Sequence, residues 1–437
     1  MRQVIPIREY ESFTCGKQIA GYKALPEHTF EQLENFILAN RDSDTDALEL
    51  MGLSAKKGVG KVITARNYVG VIAMKDGTTI EILPKIYSPD GYDAEQVKRL
   101  LIEMLKSLRN APYKSLQTTN VDIAKMNLFE IFIRMFLDEV LLVVKRGLRC
   151  SYETITSNET MFKGKMVFTE QIRHNFAHKE RAFVQFDEFN TNRPENRLLK
   201  STLLYLYHQT GSSKNKADIR TLLNVFAEVP PSVDYEGDYA KYVPDRNTKD
   251  YSTALLWSRV FLMGKSFTAF SGSEVAQALL FPMETLFESY VAAQMRKVLP
   301  LSEYALSAQD KTYHLFRYPT RKFLMKPDIV VTRRADETIF ICDTKWKLLS
   351  DEKANYGISQ PDMYQMYAYQ KKYGSKSVTL LYPLTEAAPD RGIFFDSGDG
   401  VHVKIRFVDL LNVKTSLTEI AEEFRGSSLE MEAGPDS

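Results

Sequence analysis

Two apolar runs near the end of the chain, each beside an aspartate, constrain the fold more than any other feature. Ile329-Val-Val331 follows Asp328, while Ile339-Phe-Ile-Cys342 leads into Asp343. The second run is apolar on both of its faces, which is typical of a central strand that is covered on both sides. Because a short polar turn separates the two runs, we predict two adjacent strands inside a sheet.

These two strands would bring three charged groups close together. Asp328 opens the first strand, and Asp343 and Lys345 project from one face at the end of the second, since they are two residues apart. Burying two carboxylates and an ammonium is costly unless something compensates, and a divalent cation would do so. The two carboxylates, with the backbone carbonyl of Thr344 and waters, make a hard-oxygen site that suits Mg²⁺.

Lys345 has a chemical role in such a site. It would orient or help to deprotonate a metal-bound water, or it would steady the charge that develops on a phosphate. The chemistry that this set predicts is hydrolysis of a phosphodiester. The alternative is an ordinary ion pair between Asp343 and Lys345 at a strand edge, since an Asp and a Lys at this spacing often occur by chance.

Further positions favour a catalytic site. Gln365 and Tyr369 are one helical turn apart and share a face, where they would touch a phosphate or the metal-bound water. Tyr367, between them, is predicted to pack into a core. Glu288 lies on the flank of a helix predicted over Met283–Val298 and would be an outer metal ligand or, alternatively, a solvated glutamate.

The distribution of charge agrees with a polyanionic substrate. The 437 residues include 57 Lys and Arg against 56 Asp and Glu, a formal charge of +1, which excludes a protein that holds DNA by bulk charge. Between Lys311 and Lys347, however, nine basic residues stand against four acidic ones, a local charge of +5. A solvated strand face would give part of this excess, so the excess is supporting information only.

The pattern of elements predicts a multidomain α+β protein. Residues 1–92 are predicted as a mixed α+β domain, residues 93–270 as a mainly helical middle region, and residues 271–425 as an α/β domain with a central mixed sheet. Ala269–Ser273 is the predicted linker before the last domain. The small and acidic residues Gly426–Ser437 are predicted to form a disordered tail.

Neither disulfides nor a membrane span is expected. The three cysteines are far apart in the sequence and form no metal-binding pair, which fits a reducing compartment. The most apolar stretch, Leu128–Val144, contains four charged residues that would be costly in lipid. We therefore predict a buried helix there and a cytoplasmic protein.

Asp328, the Asp343-Thr-Lys345 triplet and the helix with Gln365 and Tyr369 resemble the PD-(D/E)xK nuclease superfamily. Beyond this domain, the chain is similar to the McrC family, the nuclease subunits of McrBC-type modification-dependent restriction systems. The similarity extends from about Val59 to Tyr382 and is carried by the segments Tyr68–Lys85, Leu100–Leu108, Lys145–Arg149, Asp187–Lys200 and Phe281–Glu288.

The resemblance implies roles that residue spacing does not show. It implies that Asp328 and Asp343 are metal ligands, that Lys345 is the catalytic lysine, and that the C-terminal domain cuts double-stranded DNA with Mg²⁺. It also implies an McrB-like partner, a GTP-hydrolysing AAA+ ring that reads methylated cytosine and binds the GTP itself. The N-terminal portion of this chain would dock into that ring and stimulate GTP hydrolysis. Two complexes would be able to pair through this subunit.

Two other functions stay open. A free-standing exonuclease of the repair or CRISPR-adaptation type shares the Gln-x₃-Tyr arrangement, although three scattered cysteines disfavour the versions that carry an iron–sulfur cluster. An adaptor that only activates an AAA+ ring would have lost one of the two aspartates or the lysine. All three are present in the sequence, which makes that alternative the weaker one.

Overall fold

The computed structural model describes residues 3–39, 51–74, 77–86, 93–108, 126–244, 249–263, 276–386, 388 and 392–425. These residues form two compact units that do not follow the order of the chain. One unit holds the described residues of 126–279, and the other joins those of 3–114 to those of 280–437. The predicted linker Ala269–Ser273 and the predicted tail Gly426–Ser437 lie outside the described residues. The domain boundaries predicted from the sequence stay predictions.

The N-terminal part of the second unit mixes strands and helices, as predicted. Its elements are β1 (Val4–Arg8), β2 (Ser12–Cys15), β3 (Lys23–Leu25), α1 (Glu27–Ala39), β4 (Met51–Lys56), β5 (Gly60–Ala65), β6 (Tyr68–Met74), β7 (Thr79–Leu83) and α2 (Ala94–Lys106). One sheet has the order β3-β2-β5-β4, and β1, β7 and β6 belong to another. Helix α2 begins where the Asp93 side chain accepts a hydrogen bond from the Glu95 backbone N–H, a normal N-cap.

The unit of residues 126–279 contains more helix than strand. Its elements are α3 (Leu128–Lys145), β8 (Ser151–Glu159), β9 (Lys165–Met166), α4 (Phe168–Asn175), β10 (Ala182–Asn190), α5 (Pro194–Gln209), α6 (Ser213–Val225), α7 (Tyr235–Lys241), a 3₁₀ turn (Lys249–Tyr251) and α8 (Ser252–Met263). Helix α3 is the predicted apolar helix, and most of its apolar side chains are buried. No helix in the described parts of the chain is long and apolar enough to cross a membrane.

The sheet of this unit, with the order β8-β10-β9, is only partly visible in the sequence. Short strands are predicted near Phe183 and Lys165, and both positions lie in strands. The strand near Lys165 ends earlier than predicted, because a helix begins at Phe168. Strand β8 is not predicted. The reason is that β8 has no buried side: all of its side chains are half-buried or exposed. Strand prediction relies on an apolar face, and β8 does not have one.

The C-terminal part of the chain contains the central mixed sheet that the sequence predicts. Its elements are β11 (Ala276–Pro282), α9 (Met283–Val298), β12 (Tyr304–Ala308), β13 (His314–Phe316), β14 (Lys322–Leu324), β15 (Ile329–Arg333), β16 (Ile339–Thr344), a 3₁₀ turn (Ala354–Gly357), α10 (Gln360–Tyr373), β17 (Ser377–Pro383), β18 (Ile393–Asp396), β19 (His402–Val408) and α11 (Val413–Arg425). The six-stranded sheet has the order β12-β15-β16-β17-β19-β18. Strands β16, β17 and β19 are parallel, and the other pairs are antiparallel.

The two faces of this sheet carry separate layers, which explains why β16 is apolar on both sides. On one face, Ile341 is buried in a cluster with Met366 and Tyr369 of α10. On the other face, the ring of Phe340 lies 4.8 Å from that of Phe424 of α11. Because successive side chains of a strand alternate between faces, β16 contributes to both layers and lies at the centre of the sheet.

Candidate active site

The site forms where β15 and β16 lie side by side. Their antiparallel register pairs Ile329 with Cys342. Asp328 directly precedes β15 and Asp343 follows Cys342, so the same register places the two aspartates opposite each other. Opposed residues of antiparallel strands project from the same face of the sheet. The structure therefore brings together the two carboxylates that the sequence pattern singled out.

Asp343 is almost completely buried, with 1% of its surface exposed. Its Oδ2 accepts a hydrogen bond from Lys345 Nζ at 2.5 Å. Burial raises the pKa of the Asp343 carboxyl to about 7, and the charges of Asp328 and Glu288 also raise it, while Lys345 lowers it. A carboxylate that is disfavoured by burial and by neighbouring negative charge is one that a bound cation would stabilise.

Asp328 is half-buried and is held in place by one residue of the neighbouring strand. Its Oδ2 accepts hydrogen bonds from the Thr344 backbone N–H at 2.7 Å and from the Thr344 hydroxyl at 2.6 Å. Burial raises the pKa of the Asp328 carboxyl, although both of these bonds and Lys345 lower it. The sequence assigned Thr344 to the metal through its carbonyl. The contacts that the structure shows are those of its N–H and its hydroxyl, which orient Asp328.

Lys345 follows the last residue of β16, and its side chain turns back to Asp343. Burial lowers the pKa of the Lys345 ammonium, but the charge of Asp343 and their hydrogen bond raise it more strongly, so the net shift is upward. The lysine is therefore protonated at neutral pH. Of the roles that the sequence left open, this state favours steadying the charge on a phosphate over accepting a proton from water.

Gln365 and Tyr369 join the same site through Lys345. The Lys345 Nζ donates to Gln365 Oε1 at 3.4 Å, and the Gln365 side-chain amide donates to the Tyr369 hydroxyl at 2.8 Å. Gln365 is exposed and Tyr369 is buried, so the Gln365 amide connects Lys345 to a buried residue of α10. The prediction that Tyr367 packs into a core is wrong. Its ring is 42% exposed, and its hydroxyl donates to Asp399.

Glu288 lies on α9, is half-buried and acts on the site electrostatically. Its charge is one of the causes that raise the pKa of Asp343. Among the described residues, no group of three or more His, Cys, Asp and Glu side chains is arranged to hold a metal ion. The assignment of Glu288 as an outer metal ligand therefore stays a prediction.

The donor set fits a magnesium ion. Mg²⁺ prefers oxygen ligands, and enzymes often hold it with only one or two carboxylates together with substrate phosphates. Asp328 and Asp343 supply two carboxylates on one face of the sheet. Burial raises the pKa of each carboxyl more than the nearby Lys345 lowers it, so the ionised pair is disfavoured in the site. A divalent cation would supply the missing compensation.

One contact beside the site has no signal in the sequence. Trp346 follows Lys345, and its indole N–H donates to Glu9 Oε1 at 3.0 Å, while the other carboxyl oxygen of Glu9 accepts from the Lys85 backbone N–H. Glu9 is fully buried, and the Trp346 ring packs 5.4 Å from that of Phe287. Burial raises the pKa of Glu9 to about 8. A buried acid next to the first strand thus fixes the residue that follows Lys345.

Comparison with known proteins gives one family. Residues 63–383 match the family model described as "McrBC 5-methylcytosine restriction system component". No curated protein matches the chain.

Comparison with solved structures gives two matching chains. One comes from the refined half-complex of a tetradecameric assembly of Thermococcus gammatolerans McrB AAA+ hexamers with bound McrC. It is 19% identical, covers 97% of this chain and 100% of its own length, and has a TM-score of 0.68. The other comes from the cryo-EM structure of the Thermococcus gammatolerans McrBC complex, at 18% identity, 68% and 88% coverage and a TM-score of 0.49. At 19% identity, the likeness to the first of these chains is one of fold.

Proposed function

Because the chain belongs to the family of McrBC 5-methylcytosine restriction system components, we propose that it is the subunit of such a system that cuts DNA. The resemblance to the McrC family is confirmed by the family match. We assign to it a Mg²⁺-dependent endonuclease activity on double-stranded DNA, carried by a PD-(D/E)xK arrangement of Asp328, Asp343 and Lys345. This assignment goes beyond the family and rests on the geometry of the site.

The observation that carries the proposal is the environment of Asp343. This carboxyl is buried in the central strand, lies opposite a second carboxyl and is paired with a protonated lysine. Its pKa is raised to about 7. An ion pair that served stability alone would gain nothing from a second carboxylate nearby, since like charge is unfavourable in a buried site. The arrangement is more readily explained as a cation and phosphate site.

Each residue has a defined task in this assignment. Asp328 and Asp343 would hold the Mg²⁺, with Asp328 oriented by Thr344. When bound, the ion supplies Lewis-acid polarisation of the phosphate. The Lys345 ammonium donates hydrogen bonds and positive charge to the phosphate oxygens, where negative charge grows during hydrolysis. Gln365, itself bonded to the buried Tyr369, limits the positions that Lys345 can adopt.

The partner assignment is also part of the proposal. The solved chain of similar fold was found in an assembly of McrB AAA+ hexamers with bound McrC. We infer that this chain binds a corresponding AAA+ GTPase ring in the cytoplasm, that the partner binds the GTP and reads the methylated base, and that residues 1–92 contribute to docking. The GTPase would then be stimulated by this chain, and two such complexes would be able to pair through it.

The test is cleavage of methylated DNA by the full chain reconstituted with its AAA+ partner, GTP and Mg²⁺. Asp343→Ala should abolish cleavage while stimulation of the partner GTPase is kept. Asp336→Ala is the matched control, because Asp336 is an exposed aspartate in the turn between β15 and β16 and pairs with Arg333. Undiminished cleavage by Asp343→Ala would refute the site. Rapid digestion of linear DNA by the isolated wild-type chain would favour the free-standing exonuclease instead.

A further inference from the structure

A basic hairpin precedes the active site directly. We use this name for residues Lys311–Lys326, in which β13 pairs antiparallel with β14. The segment contains five Lys and Arg and no Asp or Glu. It therefore accounts for most of the positive charge that the sequence shows around the site. In a chain with a formal charge of +1, such a concentration indicates a local binding surface for a polyanion.

The base of the hairpin is fixed to the elements that carry the active site. Before the hairpin, the Gln309 backbone N–H donates to the carbonyl of Asp328 at 2.7 Å, so the hairpin leaves and rejoins the sheet at this aspartate. The Tyr373 hydroxyl donates to the Asp310 carboxylate at 2.9 Å, and its ring packs 4.6 Å from that of Tyr313. Tyr373 belongs to α10, which also carries Gln365. The base therefore has a fixed position relative to both strands and helix.

The charges of the hairpin are available to a ligand. Arg317, Arg321 and Lys322 are exposed, and among the residues that the structure describes none of them pairs with an acid. Elsewhere in the same domain, basic residues do find acidic partners: Arg333 pairs with Asp336, and Lys347 with Asp362. Three unpaired cations on one short hairpin repel each other, and a polyanion that binds them removes this repulsion.

Aromatic rings are interleaved with these charges and are also exposed. Tyr318 is 89% exposed, Phe323 is 70% exposed and Phe316 is 55% exposed. Phe323 has a backbone φ of 58°, which is unfavourable for a side chain with a Cβ. Its ring meets that of Phe316 at 5.9 Å instead of entering the core. Exposed aromatic rings among basic residues are a common arrangement in proteins that bind nucleic acids.

We propose that the basic hairpin is a DNA-binding arm that grips the phosphate backbone of the duplex next to Asp328 and Asp343. This inference rests on the proposed function and adds the element that holds the substrate. Arg317, Arg321 and Lys322 contact phosphates, and the rings of Tyr318 and Phe323 pack against the sugar–base surface. Such contacts are independent of base sequence, as is appropriate where the partner selects the site.

The experiment measures binding of the full wild-type chain and its variants to a fluorescent DNA duplex by anisotropy at several salt concentrations, without divalent cations so that no cleavage occurs. The triple variant Arg317→Ala/Arg321→Ala/Lys322→Ala should bind at least about tenfold more weakly. The negative slope of log K against log salt should become shallower by about 0.9 for each phosphate that the variant no longer neutralises. Tyr318→Ala/Phe323→Ala should weaken binding and leave that slope unchanged, because no charge is removed.

The matched control removes the same charge from another exposed surface of the same unit. Arg296, Lys297 and Lys414 are exposed on α9 and α11, and their triple alanine variant should bind DNA within about twofold of the wild type. Equal thermal midpoints for the two triple variants show that both are folded.

Three outcomes overturn the proposal: no binding of the duplex by the wild-type chain, wild-type affinity in the hairpin variant, or equal weakening in the control. If the hairpin variant binds DNA normally but no longer binds the AAA+ ring, the hairpin is a docking surface for the partner instead. If the wild-type chain binds through the hairpin but its complex does not cut, the proposed function fails and the arm stands. If the complex cuts and the hairpin variant binds normally, only the arm fails.

Discussion

Two buried carboxylates, one in each unit, allow an acid that supports the fold to be compared with the acid that we assign to chemistry. Glu130 of α3 accepts hydrogen bonds from the Thr210 hydroxyl, the Gly211 backbone N–H and the Asn215 side-chain amide, at 2.6 to 2.8 Å. The side chain of Asp343, among the described residues, accepts from Lys345 alone and lies opposite Asp328. Neutral donors satisfy the first carboxylate completely.

Burial by itself does not distinguish the acid that we assign to catalysis from the structural one. Both residues are less than a tenth exposed. Glu130 ties the start of α3 to the segment between α5 and α6, as a buried carboxylate with sufficient donors can. Burial raises the pKa of Asp343 to about 7, and the charge of Asp328 contributes to the shift. The acid that we assign to catalysis is the one whose charge the protein leaves partly uncompensated.

The largest effect is expected at the active site. Lys345→Met should lower the rate of DNA cleavage by the reconstituted complex by about 10²–10³-fold, the usual cost of losing one group that stabilises transition-state charge. The unbranched methionine keeps the packing of the lysine stem. The midpoint of thermal unfolding should stay close to that of the wild type. Retention of more than a tenth of the wild-type rate would remove Lys345 from the catalytic residues.

The opposite pattern is expected in the other unit. Glu130→Ala leaves the donors of Thr210, Gly211 and Asn215 without their acceptor, which should lower the free energy of unfolding by about 3 kcal/mol. Cleavage per folded molecule should not change. Urea unfolding and active-site-normalised cleavage measure the two quantities. The control is Glu228→Ala, at an exposed position of the same unit, which should change neither. If Glu130→Ala lost cleavage but kept its stability, Glu130 would not be the structural acid that the comparison with Asp343 requires.

A smaller effect is expected from Glu9, and it depends on pH. The pKa of Glu9 in the folded protein is raised from 4.5 to about 8, so the folded state binds the proton more tightly than the unfolded state. Stability from this group is fully present below pH 4.5 and is lost as the pH rises through 8. We compare the thermal midpoints of the wild type and of Glu9→Gln. The advantage of the wild type should decrease by roughly 3 °C as the pH rises from about 5 to about 9. A difference that rises or stays constant would contradict the assignment.

The parts of the site that the sequence predicts are those encoded by short segments. Asp328, Asp343 and Lys345 lie within one pair of adjacent strands, and Gln365 and Tyr369 within one helical turn, so local periodicity brings them together. The mixed sheet is predicted for the same reason, since its strands are separate apolar runs. Tyr367 fails because helical spacing shows which residues share a face, but not which face is buried.

The parts that could not be predicted depend on contacts between distant segments. Glu9 and Trp346 are 337 positions apart, and no property of either residue indicates that they meet. The same applies to the second unit, which joins the two ends of the chain. A sequence pattern carries no information on which distant segments pack together, and the predicted domain boundaries stay predictions. Strand β8 escapes prediction for a local reason, the absence of an apolar face.

The most direct test compares the two buried acids as cation ligands. Mg²⁺ is titrated calorimetrically into the wild-type chain, Asp343→Asn and Glu130→Gln at about pH 8, above the raised pKa of Asp343, where this carboxyl is ionised. We predict binding by the wild type and by Glu130→Gln, and at least about tenfold weaker binding by Asp343→Asn, which loses one of the two carboxylate ligands. Equal binding by Asp343→Asn and the wild type would contradict this assignment, because the aspartate pair would then not be the cation site.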